Sequence, residues 1–260
     1  MLSKGIDKVN QFSFVETVTD NYPSLFNFST KTENLEQSKG VAGVYAANFV
    51  KQDMIIGLGS GTTVYWLIQE LGKRVLQGLN IKAVPTSNQT AELAKQAGIS
   101  VSNLDEVDKL PLTIDGADEI DAQGCLIKGG GGALLQEKIV AAASDELIII
   151  ADHSKLVEQL GKFPLPVEVI PFGYKQVLNK ILVSTGCKKV GLRKKNDEIF
   201  ITDHRHYILD CHYEKINEAA TLNTALHLIP GVVETGLFIN MANKAVIGFE
   251  NGKVELIKYR

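Results

Sequence analysis

The sequence predicts an α/β protein: a doubly wound, mostly parallel, Rossmann-like sheet with a smaller ferredoxin-like α+β domain near the C-terminus. Two observations carry this. Short apolar runs such as "DMIIGLG" and "DELIIIAD" alternate with longer stretches of helical periodicity, the pattern of parallel strands covered on both faces. After "FPLPVEVIPFG" the rhythm changes to β-α-β-β-α-β, the order of a ferredoxin-like unit.

In chain order, "LEQSKGVAGVYAANFV" spaces its apolar residues as a helix does, and "DMIIGLG" is a buried strand ending in glycines. "TTVYWLIQELGKRV" is a helix with one apolar stripe. "IKAVPTS" is a strand, and "QTAELAKQAG" is a helix closed by Gly98. "LPLTIDGAD" is a strand running into acidic residues, followed by the helix "ALLQEKIVAAAS" and the strand "DELIIIAD". The second unit reads as the strand "VEVI", the helix "YKQVLNKILVS" and the strands "CKKVGL", "EIFITD" and "HYILDC". The helix "EKINEAATLNTAL" and the strand "VVETGLF" complete it. The closing strands "KAVIGFE" and "KVELIKY" flank Asn251-Gly252, a hairpin signal, and return to the main body. The expected division is an arm over 1–33, a main α/β domain over 34–164 with 237–260, and a small domain over 165–236.

The arm carries four phenylalanines in "FSFVETVTDNYPSLFNF" beside the polar "NFSTKTEN". It is expected to pack on the body or on a partner chain, and its composition does not assign it a role. With 45% hydrophobic residues and a net charge of −3 in 260 residues, the chain has no basic face for nucleic acid. No apolar run approaches the roughly 20 residues that cross a bilayer. Three cysteines, Cys125, Cys187 and Cys211, show no C-x-x-C spacing, which favours reduced thiols and the cytoplasm. The basic stretch "KKVGLRKKNDE" reads as a solvated hairpin.

Four segments can carry chemistry. "GLGSGTT" packs the hydroxyls of Ser60, Thr62 and Thr63 among three glycines between a strand and a helix. Backbone N–H groups at such a helix start can hold a phosphate. Thr62 stands where a dinucleotide fingerprint needs glycine, and no Gly-Lys-Ser/Thr follows for a Walker A loop. A tight turn with a capping threonine is the structural alternative. "DGADEID" places Asp115 at a strand's carboxyl end with Asp118 three residues on. Such carboxylates can bind sugar hydroxyls or move protons between oxygens, and a polar capping turn is the alternative. Lys128 would compete with a metal ion there. Glu119 and Asp121 read as solvated.

In "KGGGGALLQEK", four consecutive glycines lose much entropy on folding unless a ligand or another backbone must come close. Glu137 sits about one and a half turns into the next helix, on an apolar stripe. Desolvation there can raise its pKa into the range of a general base. Lys138, at i+1, faces elsewhere on the helix. In "ADHSK", Lys155 can reach an anion, Asp152 can cap the turn, and His153 reads as structural. His204, His206 and His212 lack the partners that a zinc site needs.

The ordered set "GLGSGTT", "DGADEID", "KGGGGALLQEK", "ADHSK" and "PGVVETGLF" resembles type A ribose-5-phosphate isomerase, from about residue 35 to the C-terminus. The resemblance implies interconversion of D-ribose 5-phosphate and D-ribulose 5-phosphate in the non-oxidative pentose phosphate pathway, through an enediol(ate) and without metal or cofactor. It implies that Glu137 is the general base, that Lys128 stabilises charge on the substrate oxygens, and that Asp115 shuttles protons and helps open the sugar ring. Ser60, Gly61, Thr62, Thr63 and Lys39 would take the phosphate side. Gly116, Ala117, Asp118, Gly129, Gly130, Gly131 and Lys155 would complete the substrate site. A homodimer or homotetramer is implied. Two features depart from the family pattern: the N-terminal arm, and His204-Arg205-His206 where a Gly-Asn turn is common. A non-catalytic sugar-phosphate sensor would need neither Glu137 nor Lys128 and would usually carry a helix-turn-helix. An acyl-CoA transferase would use a covalent glutamate.

Overall fold

The structure is a computed structural model that describes residues 15–18 and 31–259. The described chain begins with strand β1 (Val15–Val18) and helix α1 (Lys31–Ala46). β2 (Ile55–Leu58) leads into α2 (Thr62–Leu76), and β3 (Lys82–Pro85) into α3 (Asn88–Gln96). The short β4 (Ser100–Val101) precedes β5 (Leu112–Gly116). A small hairpin, β6 (Glu119–Ile120) with β7 (Leu126–Ile127), leads to α4 (Leu134–Ala142) and β8 (Leu147–Asp152). The second unit runs β9 (Leu165–Val169), α5 (Tyr174–Ser184) and β10 (Lys189–Leu192). It continues through the hairpin β11 (Lys194–Lys195) and β12 (Glu198–Ile199), then β13 (Tyr207–His212), α6 (Ala219–His227) and β14 (Val232–Thr235). β15 (Leu237–Phe238), β16 (Lys244–Gly248) and β17 (Val254–Lys258) close the chain.

Eight strands form one sheet in the order β1-β17-β16-β8-β5-β2-β3-β4. The pairs from β16 to β4 are parallel, while β17 and β1 add an antiparallel edge. From β2 the chain winds outward through β3 to β4, then crosses back to β5 and winds the other way. The switch point therefore lies between β2 and β5, where open α/β sheets bind their ligands. The inner strands are apolar on both faces because both are covered. Ile148 and Ile150 of β8 pack with Val41 of α1 and Leu67 and Leu71 of α2. Ile149 and Ala151 pack with Ile120, Leu126 and Phe238 of the three-stranded sheet β15-β7-β6.

The second unit is a four-stranded antiparallel sheet, β10-β13-β9-β14. With its two helices it has the ferredoxin-like order expected from the sequence. Its own core gathers Val167, Leu209, Ile181 and Leu226.

The structure corrects several local readings. "VVETGLF" is two strands in two sheets, broken at Gly236. A Cβ there would lie 2.3 Å from the Lys128 carbonyl oxygen, so glycine allows the crossing. "EIFITD" is strand only at Glu198–Ile199, and the helix of "EKINEAATLNTAL" begins at Ala219. Glu119 is buried rather than solvated: its carboxylate accepts the backbone N–H of Gly161 at 2.7 Å and of Phe163 at 2.6 Å. α1 begins at Lys31, inside the expected arm. Val15–Val18 of that arm pairs along β17 of the same chain, and residues 1–14 and 19–30 lie outside the described residues. Arg205, in the departing turn, has φ of 65°, a left-handed conformation that glycine or asparagine adopts at less cost.

Candidate active site

β2 and β5 end side by side. The register Leu58↔Ile114 brings Gly59 next to Asp115. A Cβ at Gly59 would lie 2.0 Å from Asp115 Oδ1, so only glycine lets the two loops meet. The Asp115 Oδ1 accepts the N–H of Ser60 at 3.0 Å and of Gly116 at 2.7 Å. One carboxylate thus ties both turns together. Gly61 caps α2 at φ 109°, which leaves the first N–H groups of that helix and the Thr62 backbone exposed at its positive end.

The three-stranded sheet supplies the second part. Its β6–β7 pairing, Glu119↔Ile127, sets Asp118 and Lys128 at matching ends of the hairpin. Lys128 is only 2% exposed. Its Nζ donates to the Gly116 carbonyl at 2.5 Å and lies 3.0 Å from Asp115 Oδ2 and 3.2 Å from Glu137 Oε1. Burial works to lower the Lys128 pKa, but the Asp115 and Glu137 carboxylates outweigh it, and the net shift is upward.

Glu137 is the fourth residue of α4, one turn in, and is buried. Burial, assisted by the charge of Asp115, pushes its pKa up to about 8 against the pull of Lys128. Its Oε2 is buried and, among the described residues, has no hydrogen-bond partner. Lys138 turns to the other side of α4, where it holds Glu234 Oε1 at 2.6 Å and the Thr235 carbonyl at 2.7 Å.

These parts surround a cavity of about 230 Å³. That is smaller than the roughly 300 Å³ at the low end of drug-sized ligand sites and suits a compact polar ligand. Lys39, Ser60, Gly61, Thr62, Thr63, Gly116, Ala117, Asp118, Lys128, Gly129, Gly130, Gly131, Glu137 and Lys155 all line it. Asp115 stands one layer behind, against Lys128. Lys39 is paired with Glu36 at 2.6 Å. Asp118 Oδ2 accepts the Gly130 N–H at 2.7 Å. His153 stays out of the lining and stacks on Phe249, with ring centroids 5.5 Å apart.

The sequence reading missed several participants. Leu35 and Ser154 also line the cavity, as does Asp152, which caps its turn as expected by accepting the Ser154 N–H at 3.0 Å. The Ser60 hydroxyl turns back into a cluster with Thr86 Oγ1 and Ser87 Oγ at 2.8 Å and Thr90 Oγ1 at 3.0 Å. Those three lie 26 to 30 residues away, and only the sheet order brings them in. Arg193, which its sequence context places in a solvated hairpin, instead donates to the Gly129 carbonyl at 2.7 Å.

Comparison with known proteins identifies a family. Residues 82–252 match the family model of ribose 5-phosphate isomerase A (phosphoriboisomerase A). The chain is 60% identical over 219 residues to ribose-5-phosphate isomerase A of Bacillus cereus, covering 84% of this chain and 99% of that protein. It is 47% identical over 234 residues to the Roseobacter denitrificans protein of the same name, covering 88% and 89%. Among solved structures, ribose 5-phosphate isomerase from Plasmodium falciparum superposes with a TM-score of 0.82 at 38% identity, covering 86% of this chain and 98% of that one. A D-ribose-5-phosphate isomerase in complex with phospho-erythronic acid gives 0.82 at 36% identity, covering 86% and 99%. The chain belongs to the ribose 5-phosphate isomerase A family.

Proposed function

We propose that Glu137 is the base of an aldose–ketose isomerase that interconverts D-ribose 5-phosphate and D-ribulose 5-phosphate in this cavity. The observation that carries the reading is the state of Glu137: a carboxyl in the cavity wall, held through Oε1 by Lys128, with Oε2 unpartnered among the described residues.

The hydrogen on C2 of the open-chain aldose is acidified by the neighbouring carbonyl. Glu137 takes that proton, the C–H electron pair forms the C1–C2 double bond, and the carbonyl oxygen takes up negative charge. Lys128 stabilises this charge as a preorganised cation in a dry site. Asp115, one layer behind the lining, acts on the sugar oxygens only through the Lys128 ammonium that it holds at 3.0 Å, and by that relay protons move between the oxygens and the ring opens. Glu137 then returns its proton to C1, so no net electrons leave the sugar. Asp118 and the glycine-loop amides orient the hydroxyls. Gly61, Thr62 and Thr63 at the start of α2, with Lys39 and Lys155, hold the phosphate, while Ser60, whose hydroxyl turns back on Thr86, Ser87 and Thr90, fixes the turn that presents them. Binding energy at that remote group positions the reacting carbons.

The three free cysteines, Cys125, Cys187 and Cys211, support a reducing compartment, and we place the enzyme in the cytoplasm. The apolar side chains that the small domain exposes, Phe172, Val183 and Leu228, support a homodimer or homotetramer. We take 34–164 with 237–260 as the catalytic domain and 165–236 as the small domain.

The test is conversion of ribose 5-phosphate in D₂O, followed by NMR, with wild type and Glu137→Gln. Wild type is expected to form the ketose and to exchange solvent deuterium into the transferred position. Glu137→Gln, which folds around the same volume, is expected to lose about 10²- to 10⁴-fold in kcat. Wild-type turnover in that variant would remove Glu137 from the role.

A further inference from the structure

The small domain reaches the candidate site at the glycine loop. Arg193 follows β10, and its side chain is mostly buried, 12% exposed. One edge of its guanidinium is forked on Asp210 of β13: Nε donates to Oδ2 at 3.0 Å, and Nη2 donates to Oδ1. Nη1 donates to the carbonyl oxygens of Gly129 at 2.7 Å and Gly130 at 3.1 Å. The hairpin bearing Arg193 makes a second contact with the same loop. Phe200, whose N–H donates to the Arg193 carbonyl at 3.0 Å, covers Gly132 so closely that a Cβ there would lie 2.4 Å from the ring.

These contacts decide where the loop amides point. In a planar trans peptide the C=O and the following N–H point in opposite directions. Holding the Gly129 carbonyl turns the Gly130 N–H away from Arg193, and that N–H meets Asp118 Oδ2. Holding the Gly130 carbonyl turns the Gly131 N–H away from Arg193 in the same sense. Among the described residues the Gly131 N–H has no hydrogen-bond acceptor, and Gly131 lines the cavity. A run of glycines has no side chains with which to fix its own conformation. The guanidinium, a planar donor set already locked on Asp210, supplies that constraint.

We propose that Arg193 is a positioning residue of the isomerase: it holds the Gly129 and Gly130 carbonyls so that the Gly130 amide stays on Asp118 and the Gly131 amide faces the oxygens of the open-chain sugar phosphate. Arg193 lies outside the cavity lining and acts through the loop. Lysine cannot replace it fully, since one ammonium cannot fork on Asp210 and span two carbonyls. The proposal rests on the isomerase reading above.

The experiment compares the full chain with Arg193→Met, Arg193→Lys and Asp210→Asn. It measures kcat and KM for ribose 5-phosphate, competitive inhibition by inorganic phosphate, and thermal melting. Arg193→Met is expected to lose about 10- to 100-fold in kcat, as misplaced catalytic groups do, while KM and inhibition by phosphate stay near wild type. Arg193→Lys should recover part of the loss, and Asp210→Asn should show a smaller loss in the same direction. Wild-type kcat in Arg193→Met, whatever its melting temperature, overturns the proposal. So does a change confined to KM and phosphate inhibition. If Arg193→Met does not fold, wild-type kcat in both other variants overturns it. An active wild type with unaltered variants sinks this inference alone, whereas a wild type that forms no ketose sinks the isomerase reading beneath it.

Discussion

The two ends of the cavity are built by opposite means. At the start of α2, Gly61 and Thr62 are exposed, and the groups facing the cavity are largely backbone N–H and hydroxyls of fixed polarity. At the other end Lys128 and Glu137 are buried, with Asp115 fully enclosed behind them. The first end can hold a permanent anion in water at little cost, because nothing there must change its charge. On the proposed reading the second changes its charge during turnover, and burial raises the Glu137 pKa to about 8. If the proposed roles hold, the contrast separates binding from chemistry along one ligand: a wet, backbone-built anchor and a dry, side-chain-built reaction end.

Substitutions at each end can break or sharpen this contrast. The largest expected effect is at the dry end. Lys128→Met keeps the bulk but removes the cation between two carboxylates, and loss of a preorganised charge of this kind costs about 10²- to 10³-fold in kcat. KM should move little. A variant with raised KM and unaltered kcat would show Lys128 to be part of the anchor instead. A smaller effect is expected at the wet end. Gly61→Ala has room for the methyl group, since nothing lies within 4 Å of a Cβ there. Its cost is conformational, because φ of 109° is strained for any L side chain by about 1–3 kcal/mol. Displacing the helix start should raise KM about tenfold, the equivalent of about 1.4 kcal/mol, with kcat largely kept. A fall in kcat alone would erase the distinction between the ends.

The backbone of this design was legible in the sequence because local signals and global fold agree. Apolar strands ending in glycine or aspartate mark the carboxyl edge of a parallel sheet, and Asp115, Lys128 and Glu137 each stand out against apolar surroundings. What was not legible depends on distance in space. Two-residue strands such as β6 and β7 are too short to show a period. Glu119 looks solvated beside Asp118 and Asp121, yet it is enclosed by the amides of Gly161 and Phe163, more than 40 residues away. Arg193 sits in a run of lysines, and only the placement of the small domain over the glycine loop separates it from them. The Thr86, Ser87 and Thr90 hydroxyls give no signal of their own until β3 lies beside β2.

The most direct test of the central claim is the pH dependence of kcat/KM, which reports ionisations of the free enzyme. The base must be deprotonated to act, and burial favours the neutral carboxyl, so kcat/KM should rise with pH through an ionisation near 8. The stability of the fold should run the other way. A carboxyl whose pKa is raised on folding contributes stability that is full below its unfolded value of 4.5 and is lost as pH rises through about 8. An activity limb near 8 that accompanies falling stability is the predicted result. An activity limb in the ordinary carboxylate range, with stability flat between pH 5 and 8, would contradict a dry, proton-holding Glu137.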